Sequence, residues 1–334
     1  MSDAPPPEVA PEVAPDDAVF EFSFEDLRVR GALVRLRSTW AQVIAAHAYP
    51  DGVARLLGEM LGGAALLSHL VKDTDVALQA RGDGPLRLVM AESLMQRTGL
   101  RGIARLQDDA AVTLAAVTLT DAQSPSALPP SLARLVDTEV APIEALLGRG
   151  DLAITLRPAL PAGSRGRERQ MHQGIVPLAG ASLAGCLEHY FASSEQLPTR
   201  VWLTAAGDIA AGMLLQRIPS SSAAGDMGEA MADMEFQELA ALAGTLTAQE
   251  LRKTPVEHLL LNLFNEHRVR LRPPRAVAFS STCSRAKTEA VLKLLGKDEV
   301  DALLATQGEV RMQCQFCGTN YLFTSGEAGD LWVQ

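Results

Sequence analysis

Residues 310–323 read Val-Arg-Met-Gln-Cys-Gln-Phe-Cys-Gly-Thr-Asn-Tyr-Leu-Phe, and this stretch decides how the end of the chain folds. Its apolar ends, 310–312 and 321–323, have the pattern of two hairpin arms around a C-x-x-C-Gly turn. Two thiolates separated by two residues can bind one metal ion from a tight turn. Thioredoxin-like redox motifs share this spacing, but they lie where a strand leads into a helix. The strand-like flanks therefore favour a zinc site that includes Cys314 and Cys317.

A second pair of ligands is expected upstream of this turn, and only half of such a pair is present. Cys283 lies 31 positions before Cys314, but Ser281 stands two positions before Cys283, where a pair would need another cysteine. The remaining cysteine, Cys186, falls in a helical run far from the others. We interpret it as a small buried apolar residue.

Length, composition and charge exclude several classes of protein. The 334 residues predict two domains, and the apolar (47%) and charged (21%) fractions exclude a wholly disordered or collagen-like chain. A net charge of −10 disfavours nucleic-acid binding, including binding by a zinc-ribbon module. Residues 1–17 lack the basic start and the apolar core of a signal peptide, and no apolar run reaches the roughly 20 residues of a membrane helix. We therefore expect a cytoplasmic protein without nucleic-acid or membrane partners, whose clustered cysteines are metal ligands or redox groups.

The first two parts of the chain are expected to be a tail and a core domain. Residues 1–22 are rich in alanine, proline and acidic residues, which predicts a disordered tail. Residues 23–219 show strand patterns first and helical patterns later, which predicts an α+β core. The strongest patterns predict a buried helix over 53–71 and strands over 29–36, 75–79, 86–90, 101–106 and 151–156.

Residues 220–270 are interpreted as a helical, metastable linker. A flexible segment at 220–225 precedes an acidic helix that carries Met227, Met231 and Met234. These methionines belong either to an ordinary surface helix or to a marginal segment that melts or docks, because methionine-rich surfaces adapt to varied partners. The helix that follows is expected to face its leucines inward.

Residues 271–334 are expected to form a small C-terminal zinc-binding domain. A short strand (276–279), a helix (286–295), a second helix capped by Asp298 and the cysteine hairpin are predicted in this order. About 60 residues rarely form an independent apolar core, so we expect a metal or another staple to hold this unit together.

Several runs of the sequence resemble those of one family, the heat-shock protein 33 (Hsp33) family. The cysteine segments 279–285 and 314–321 are similar to its zinc centre, and the run Tyr-Phe-Ala-Ser-Ser-Glu-Gln-Leu-Pro-Thr-Arg at 190–200 is the most specific match to its core. The chain is therefore identified as a member of this family from about residue 23 onward. Further matching runs occur in the same order at 79–86, 101–105, 173–178 and 211–216.

The resemblance implies one zinc ion bound by a C-x-C pair and a C-x-x-C pair. Only Cys283, Cys314 and Cys317 carry over, both as zinc ligands and as redox-active thiols, because Ser281 replaces the first cysteine of the C-x-C pair. A serine hydroxyl is a poor zinc ligand at neutral pH, so we expect water, a carboxylate or nothing in the fourth position. Structural zinc contributes about 10–16 kcal/mol in four-ligand peptides, so losing one ligand would cost about 3 kcal/mol. Zinc binding is then weaker without being abolished.

The resemblance also implies the function of a redox-regulated, ATP-independent holdase chaperone, which is not an enzyme. Such a protein binds unfolding client proteins under oxidative stress and prevents their aggregation. Oxidation of the thiols would release zinc, unfold residues 271–334 and destabilise the linker. Apolar surface that includes Met227, Met231 and Met234 would then become available to clients.

Ser281 alters the redox chemistry that the family pattern implies. The C-x-C disulfide cannot form, whereas Cys314 and Cys317 can still pair, which leaves Cys283 free to form sulfenic acid or to join a second chain in an oxidised homodimer. Oxidation then either activates the chaperone more easily, or the chaperone is already partly active in the reduced protein. Weaker zinc binding favours the second outcome. A dithiol oxidoreductase that uses Cys314 and Cys317 is the alternative function.

Overall fold

The computed structural model describes residues 17–71, 74–94, 98–107, 142–158, 171–178, 182–219 and 225–332. Two six-stranded sheets with a helix between them account for most of the described core. Further helices cover one sheet, and a unit with its own two-stranded hairpin follows at the C-terminal end. This mixture of helices and sheets confirms the predicted α+β class.

The first sheet is antiparallel and joins distant parts of the sequence. Its strands, numbered in chain order, are β1 (Ala18–Phe24), β2 (Val29–Leu36), β8 (Thr199–Ala206), β9 (Ile209–Arg217), β10 (Val269–Leu271) and β11 (Arg275–Ala276). They lie in the order β10-β1-β2-β9-β8, and β11 also pairs with β1. The strand predicted over 29–36 is confirmed.

The second sheet has one parallel pair at its edge. Its strands are β3 (Thr74–Gly82), β4 (Leu86–Leu94), β5 (Gly99–Leu106), β6 (Gly150–Pro158), β7 (His172–Pro177) and β12 (Ala278–Phe279). The order is β12-β5-β4-β3-β6-β7, with β12 parallel to β5 and the other pairs antiparallel. All four strands predicted in this region are confirmed, and each is longer than its pattern indicated.

Helix α2 (Asp51–Leu70) lies between the two sheets and packs against both. It is apolar on nearly all sides, as expected of a fully buried helix, and confirms the helix predicted over 53–71. Gly58 allows a close approach, since a Cβ placed there would lie 2.4 Å from the Cβ of Ala205. The shorter core helices are α1 (Ser38–Ala45), α3 (Ile143–Leu147) and α4 (Leu183–Tyr190), which continues into a π-helical turn (Phe191–Glu195).

The predicted linker is a folded layer on the open face of the first sheet. Its helices are α5 (Gly225–Ala243), α6 (Ala248–Lys253) and α7 (Val256–Leu263). Polar contacts join these helices to the sheet, for example Arg217 to Glu229 (2.6 Å) and Arg252 to Thr204 (2.5 Å). A separate apolar cluster fills the interface; its members include Phe22, Phe24, Leu33, Met213 and Leu215 of the sheet and Phe236, Leu239, Leu251, Leu259, Leu260 and Phe264 of the linker.

The N-terminal boundary of the core differs from the prediction of a disordered tail over 1–22. Ala18–Phe24 is strand β1, because its alternating side chains place Phe20, Phe22 and Phe24 in the apolar cluster below the linker. The carboxylate of Asp17 accepts hydrogen bonds from the backbone N–H groups of Arg37, Ser38 and Thr39, and so caps helix α1. The rest of the predicted tail, residues 1–16, lies outside the described residues.

The C-terminal boundary also differs from the one predicted at residue 271. Strands β10, β11 and β12 pair with the two core sheets, because their backbone groups complete open strand edges there. The flexible segment predicted at 220–225 lies outside the described residues except for Gly225, which begins α5. The predicted cap Asp298 lies in the first turn of its helix, and Gly296 is the N-cap residue.

The C-terminal unit has a small apolar core of its own. Its elements are α8 (Arg285–Leu295), α9 (Lys297–Gln307), β13 (Glu309–Gln313), β14 (Asn320–Thr324) and α10 (Ser325–Asp330). Five buried side chains form its centre: Leu292, Val300, Val310, Phe323 and Ala328. None of the helices in the described part of the chain is long and apolar enough to cross a membrane.

Candidate metal centre

Cys314 and Cys317 lie in the turn of the β13–β14 hairpin. The backbone N–H of Gly318 donates to the carbonyl oxygen of Cys314 (2.8 Å), and the N–H of Cys314 donates to that of Thr319 (2.9 Å). Gly318 has a φ angle of +70°, which a residue with a side chain rarely adopts. This tight turn points both thiols to one side, as the spacing predicted.

Cys283 reaches the hairpin from the segment that joins β12 to α8. The N–H groups of Ala278 and Ser280 donate to the carbonyl oxygens of Thr98 and Leu100, both at 2.9 Å, so the core sheet fixes the start of this segment. Ser284 fixes its end, because its hydroxyl accepts from the N–H of Lys287 as the N-cap of α8. Cys283 lies between these two anchors.

The structure brings the three cysteines into one cluster. The sulfur atoms of Cys283, Cys314 and Cys317 all lie within 4.8 Å of one another, and those of Cys283 and Cys317 are 3.4 Å apart. All three side chains are partly buried. Among the described residues this is the only group of three or more such ligand-bearing side chains close enough to hold a metal ion. Thiolate ligands suit a soft or borderline metal such as zinc.

Ser281 lies at the same cluster, where the sequence pattern lacks a cysteine. Its Oγ is 3.6 Å from the sulfur of Cys314, and it accepts a hydrogen bond from the N–H of Cys283 (3.4 Å). The Ser281 hydroxyl thus lies beside the three thiols. The three sulfur atoms fit a tetrahedral metal ion whose fourth ligand is a water molecule, and no carboxylate of the described residues joins the cluster.

The pKa values of Cys317 and Cys283 are shifted in opposite directions. Partial burial opposes ionisation of Cys317, but hydrogen bonds with Ser281 and Thr319 outweigh it and lower the pKa of Cys317 to about 6. Cys283 is stabilised as a thiolate by Ser281 and Tyr321, yet burial and the two neighbouring thiols raise its pKa. The hydroxyl of Tyr321 donates to the sulfur of Cys283 (3.2 Å), and this bond raises the pKa of Tyr321 to about 12. Without a metal, Cys317 therefore ionises at a lower pH than Cys283 does.

The other residues singled out in the sequence lie apart from this cluster. Met227, Met231 and Met234 are exposed on α5 by 90%, 59% and 70%, so they take no part in the apolar cluster beneath that helix. Cys186 is buried in α4, and burial raises its pKa, as expected of an inert thiol. No sequence pattern indicated Tyr321 as a partner of Cys283, because the contact depends on the hairpin register.

Comparisons with known proteins all point to one family. A family model described as Hsp33 protein matches residues 17–324. The 33 kDa chaperonin of Ectopseudomonas mendocina is 41% identical over 315 residues, which cover 93% of this chain and 94% of the relative. That of Shewanella woodyi is 36% identical over 312 residues, which cover 92% and 93%.

A solved structure has the same fold. It is the crystal structure of a 33 kDa chaperonin, described as a heat shock protein 33 homolog, from Thermotoga maritima. It matches with a TM-score of 0.70 at 20% identity and covers 94% of this chain and 97% of that chain. The match therefore includes both sheets and the C-terminal unit.

Proposed function

This chain belongs to the Hsp33 family, and on that premise we propose that it is a redox-regulated, ATP-independent holdase that binds unfolding proteins under oxidative stress. The names of its relatives support a chaperone. The observation that carries the finer proposal is the apolar cluster between the first sheet and helices α5–α7. A large apolar surface covered by a separate layer of helices can be exposed without unfolding the core.

Zinc is the proposed metal, with Cys283, Cys314 and Cys317 as ligands and water in the fourth position. When bound, zinc would hold the hairpin turn against the segment before α8. The five-residue core of the C-terminal unit supports this role, because so small a core needs a further link to stay folded. With three thiolates in place of four, the proposed switch is partly open even in the reduced protein.

Oxidation would start at the thiols and spread to the linker. A peroxide would convert one thiolate to a sulfenic acid and release hydroxide; a neighbouring thiol would then displace water and form a disulfide. The site would lose sulfur ligands and release the metal ion. The hairpin turn would then no longer be held against the segment before α8. The linker precedes this unit directly through β10–β12, so disorder there would loosen α7 and the helices before it.

The surface proposed for clients combines two regions. The first is the sheet face that carries Phe22, Phe24 and Met213, which becomes available when α5–α7 leave it. The second region consists of Met227, Met231 and Met234, which are already exposed on α5. Flexible methionine side chains suit a surface that must accept many sequences.

The proposal includes partners and place as well as mechanism. Cys283 would join a second copy of the chain after oxidation, since a disulfide between Cys314 and Cys317 leaves it as the unpaired thiol. We place the protein in the cytoplasm and propose neither enzymatic activity nor nucleic-acid or membrane partners. The alternative function is a dithiol oxidoreductase that uses Cys314 and Cys317, and the low pKa of Cys317 is the observation that supports it. Turnover in an insulin-reduction assay would reveal it.

Light scattering by an aggregating, chemically unfolded client tests the proposed function. Without ATP, the peroxide-treated protein should suppress scattering strongly, and the reduced protein should suppress it partly. A Cys283→Ser/Cys314→Ser/Cys317→Ser variant serves as the control and should not respond to peroxide. Failure of both the reduced and the oxidised protein to suppress scattering would contradict the holdase function.

A further inference from the structure

Arg101, on core strand β5, contacts both halves of the candidate metal centre. Its Nη1 donates to the hydroxyl of Thr282 (3.1 Å), the residue between Ser281 and Cys283. Its guanidinium carbon also lies 4.1 Å from the ring centroid of Phe316, which is in the C-x-x-C turn. One planar cation thus touches the middle of each ligand-bearing segment.

A buried carboxylate holds this guanidinium in place. Glu92, directly opposite Arg101 on β4, has a side chain only 4% exposed and accepts from Nε (2.8 Å) and Nη2 (2.6 Å) of Arg101. Arg157 donates to the other oxygen of Glu92 (2.5 Å), so the carboxylate is fully engaged. The Arg101 side chain is therefore oriented by the core before it meets the metal centre.

Further contacts bring the same two segments onto the core. His47, two residues after α1, donates through Nε2 to the carbonyl oxygen of Gln315 (2.6 Å). A Cβ placed on Gly99 would lie 2.8 Å from the Cβ of Ser280, so glycine at this position allows the β12 segment to approach β5. The cluster of thiols therefore forms on the surface of the core and not only within the C-terminal unit.

We propose that Arg101 is a positioning residue for the metal centre, which fixes the Ser281–Cys283 segment and the C-x-x-C turn relative to each other. Docking of the C-terminal unit on the core then strengthens metal binding. By thermodynamic reciprocity, a bound metal strengthens docking by the same factor. The proposal rests on the metal site of the proposed function and adds the core residue that couples this site to the sheet.

Lysine cannot replace Arg101 in this role. A lysine ammonium keeps the positive charge beside Glu92, but it has neither the planar face for Phe316 nor a fork that reaches Glu92 and Thr282 together. Loss of one charge-assisted hydrogen bond and one cation–π contact should weaken metal binding about tenfold. Phe316→Leu removes the ring contact from the other side and leaves the pair of Arg101 and Glu92 intact.

Zinc affinity of the full, reduced chain, measured by competition with a colorimetric chelator, tests this proposal. Arg101→Lys should bind zinc about tenfold more weakly, and Phe316→Leu, which loses only the ring contact, about threefold more weakly. The double variant should bind as Arg101→Lys does, because the ring contact that Phe316→Leu removes is already lost in Arg101→Lys. Arg105→Lys, an exposed arginine on the same strand, is the matched control and should bind as the parent does. Equal affinities in parent, Arg101→Lys and Phe316→Leu would overturn the proposal, as would additive losses in the double variant or a parent that binds no zinc.

Hydrogen exchange of residues 278–283 provides a readout that a purely local defect would not move. The amides of Ala278 and Ser280 donate to the core sheet in this segment. Zinc should slow exchange of the segment in the parent, and it should slow exchange much less in Arg101→Lys. Equal protection by zinc in both proteins would contradict the coupling. These results are separate from the proposed function, because a chain that suppresses aggregation but shows no Arg101 effect refutes only the positioning role.

Discussion

Phe264 offers a test of the linker interface that leaves every cysteine in place. It is 1% exposed at the end of α7, and its ring centroid lies 5.1 Å from that of Phe24 and 6.3 Å from that of Phe22. Phe264→Ala should cost about 3–5 kcal/mol, the usual range for a buried phenylalanine. Because the aromatic partners lie on the sheet, this cost falls on the closed form and not on the opened one. About 4 kcal/mol corresponds to a thousandfold rise in the equilibrium constant between the open and the closed linker.

The assay for this variant is aggregation suppression by the reduced protein, without peroxide and without ATP. Phe264→Ala should suppress client scattering in the reduced state nearly as well as the oxidised parent does. Leu261→Ala is the matched control, because Leu261 lies in the same helix but is 63% exposed. If the reduced Phe264→Ala protein shows faster proteolysis within 225–263 and still does not hold clients, the surface beneath the linker is not the client surface.

The remaining predictions concern the metal centre, the C-terminal unit and the carboxyl of Glu59. Ser281→Cys should supply a fourth sulfur ligand worth about 3 kcal/mol, lower reduced-state holdase activity and increase its dependence on peroxide; equal activity of reduced Ser281→Cys and parent, both with zinc bound, would show that the missing ligand is irrelevant. Cys314→Ser should make the chain after residue 280 sensitive to limited proteolysis while the core stays resistant, and equal resistance of that part in both proteins would argue against a thiol-supported unit. Desolvation of the Glu59 carboxyl, opposed by the charge of Arg55, raises its pKa to about 7. The folded state therefore holds this proton more tightly than the unfolded state does. The resulting stability is full below pH 4.5 and is lost as the pH rises through 7. Denaturant unfolding should therefore show a loss of at most about 3 kcal/mol from pH 5 to 8 that is much smaller in Glu59→Gln, and identical pH dependence in both proteins would refute this assignment.

Local patterns were sufficient for the elements that bury a periodic set of side chains. The run of small and apolar residues in α2 predicted a helix buried on all sides, and the alternation in β2 predicted a strand. The cysteine cluster was also predictable, because a C-x-x-C turn with a further cysteine upstream is typical of residues that bind one metal ion. Ser281 could be placed beside it from spacing alone.

Non-local pairing explains what the sequence patterns missed. The acidic, proline-rich composition before residue 18 obscured the alternation of Phe20, Phe22 and Phe24, which forms β1 only when β2 and β10 complete its edges. Arg101 and Glu92 are ordinary strand charges until the register sets them opposite each other. The contact of Arg101 with Phe316 joins residues more than 200 positions apart, and no local pattern indicates it.

Hydrogen exchange of the linker tests the central claim most directly, since that claim is that thiol oxidation exposes the sheet face beneath α5–α7. The measurement compares zinc-bound reduced protein with peroxide-treated protein, region by region. Amides of 225–263 should lose protection after oxidation, while those of α2 between the sheets keep theirs. Unchanged protection of 225–263 in an oxidised sample that suppresses aggregation would contradict the claim.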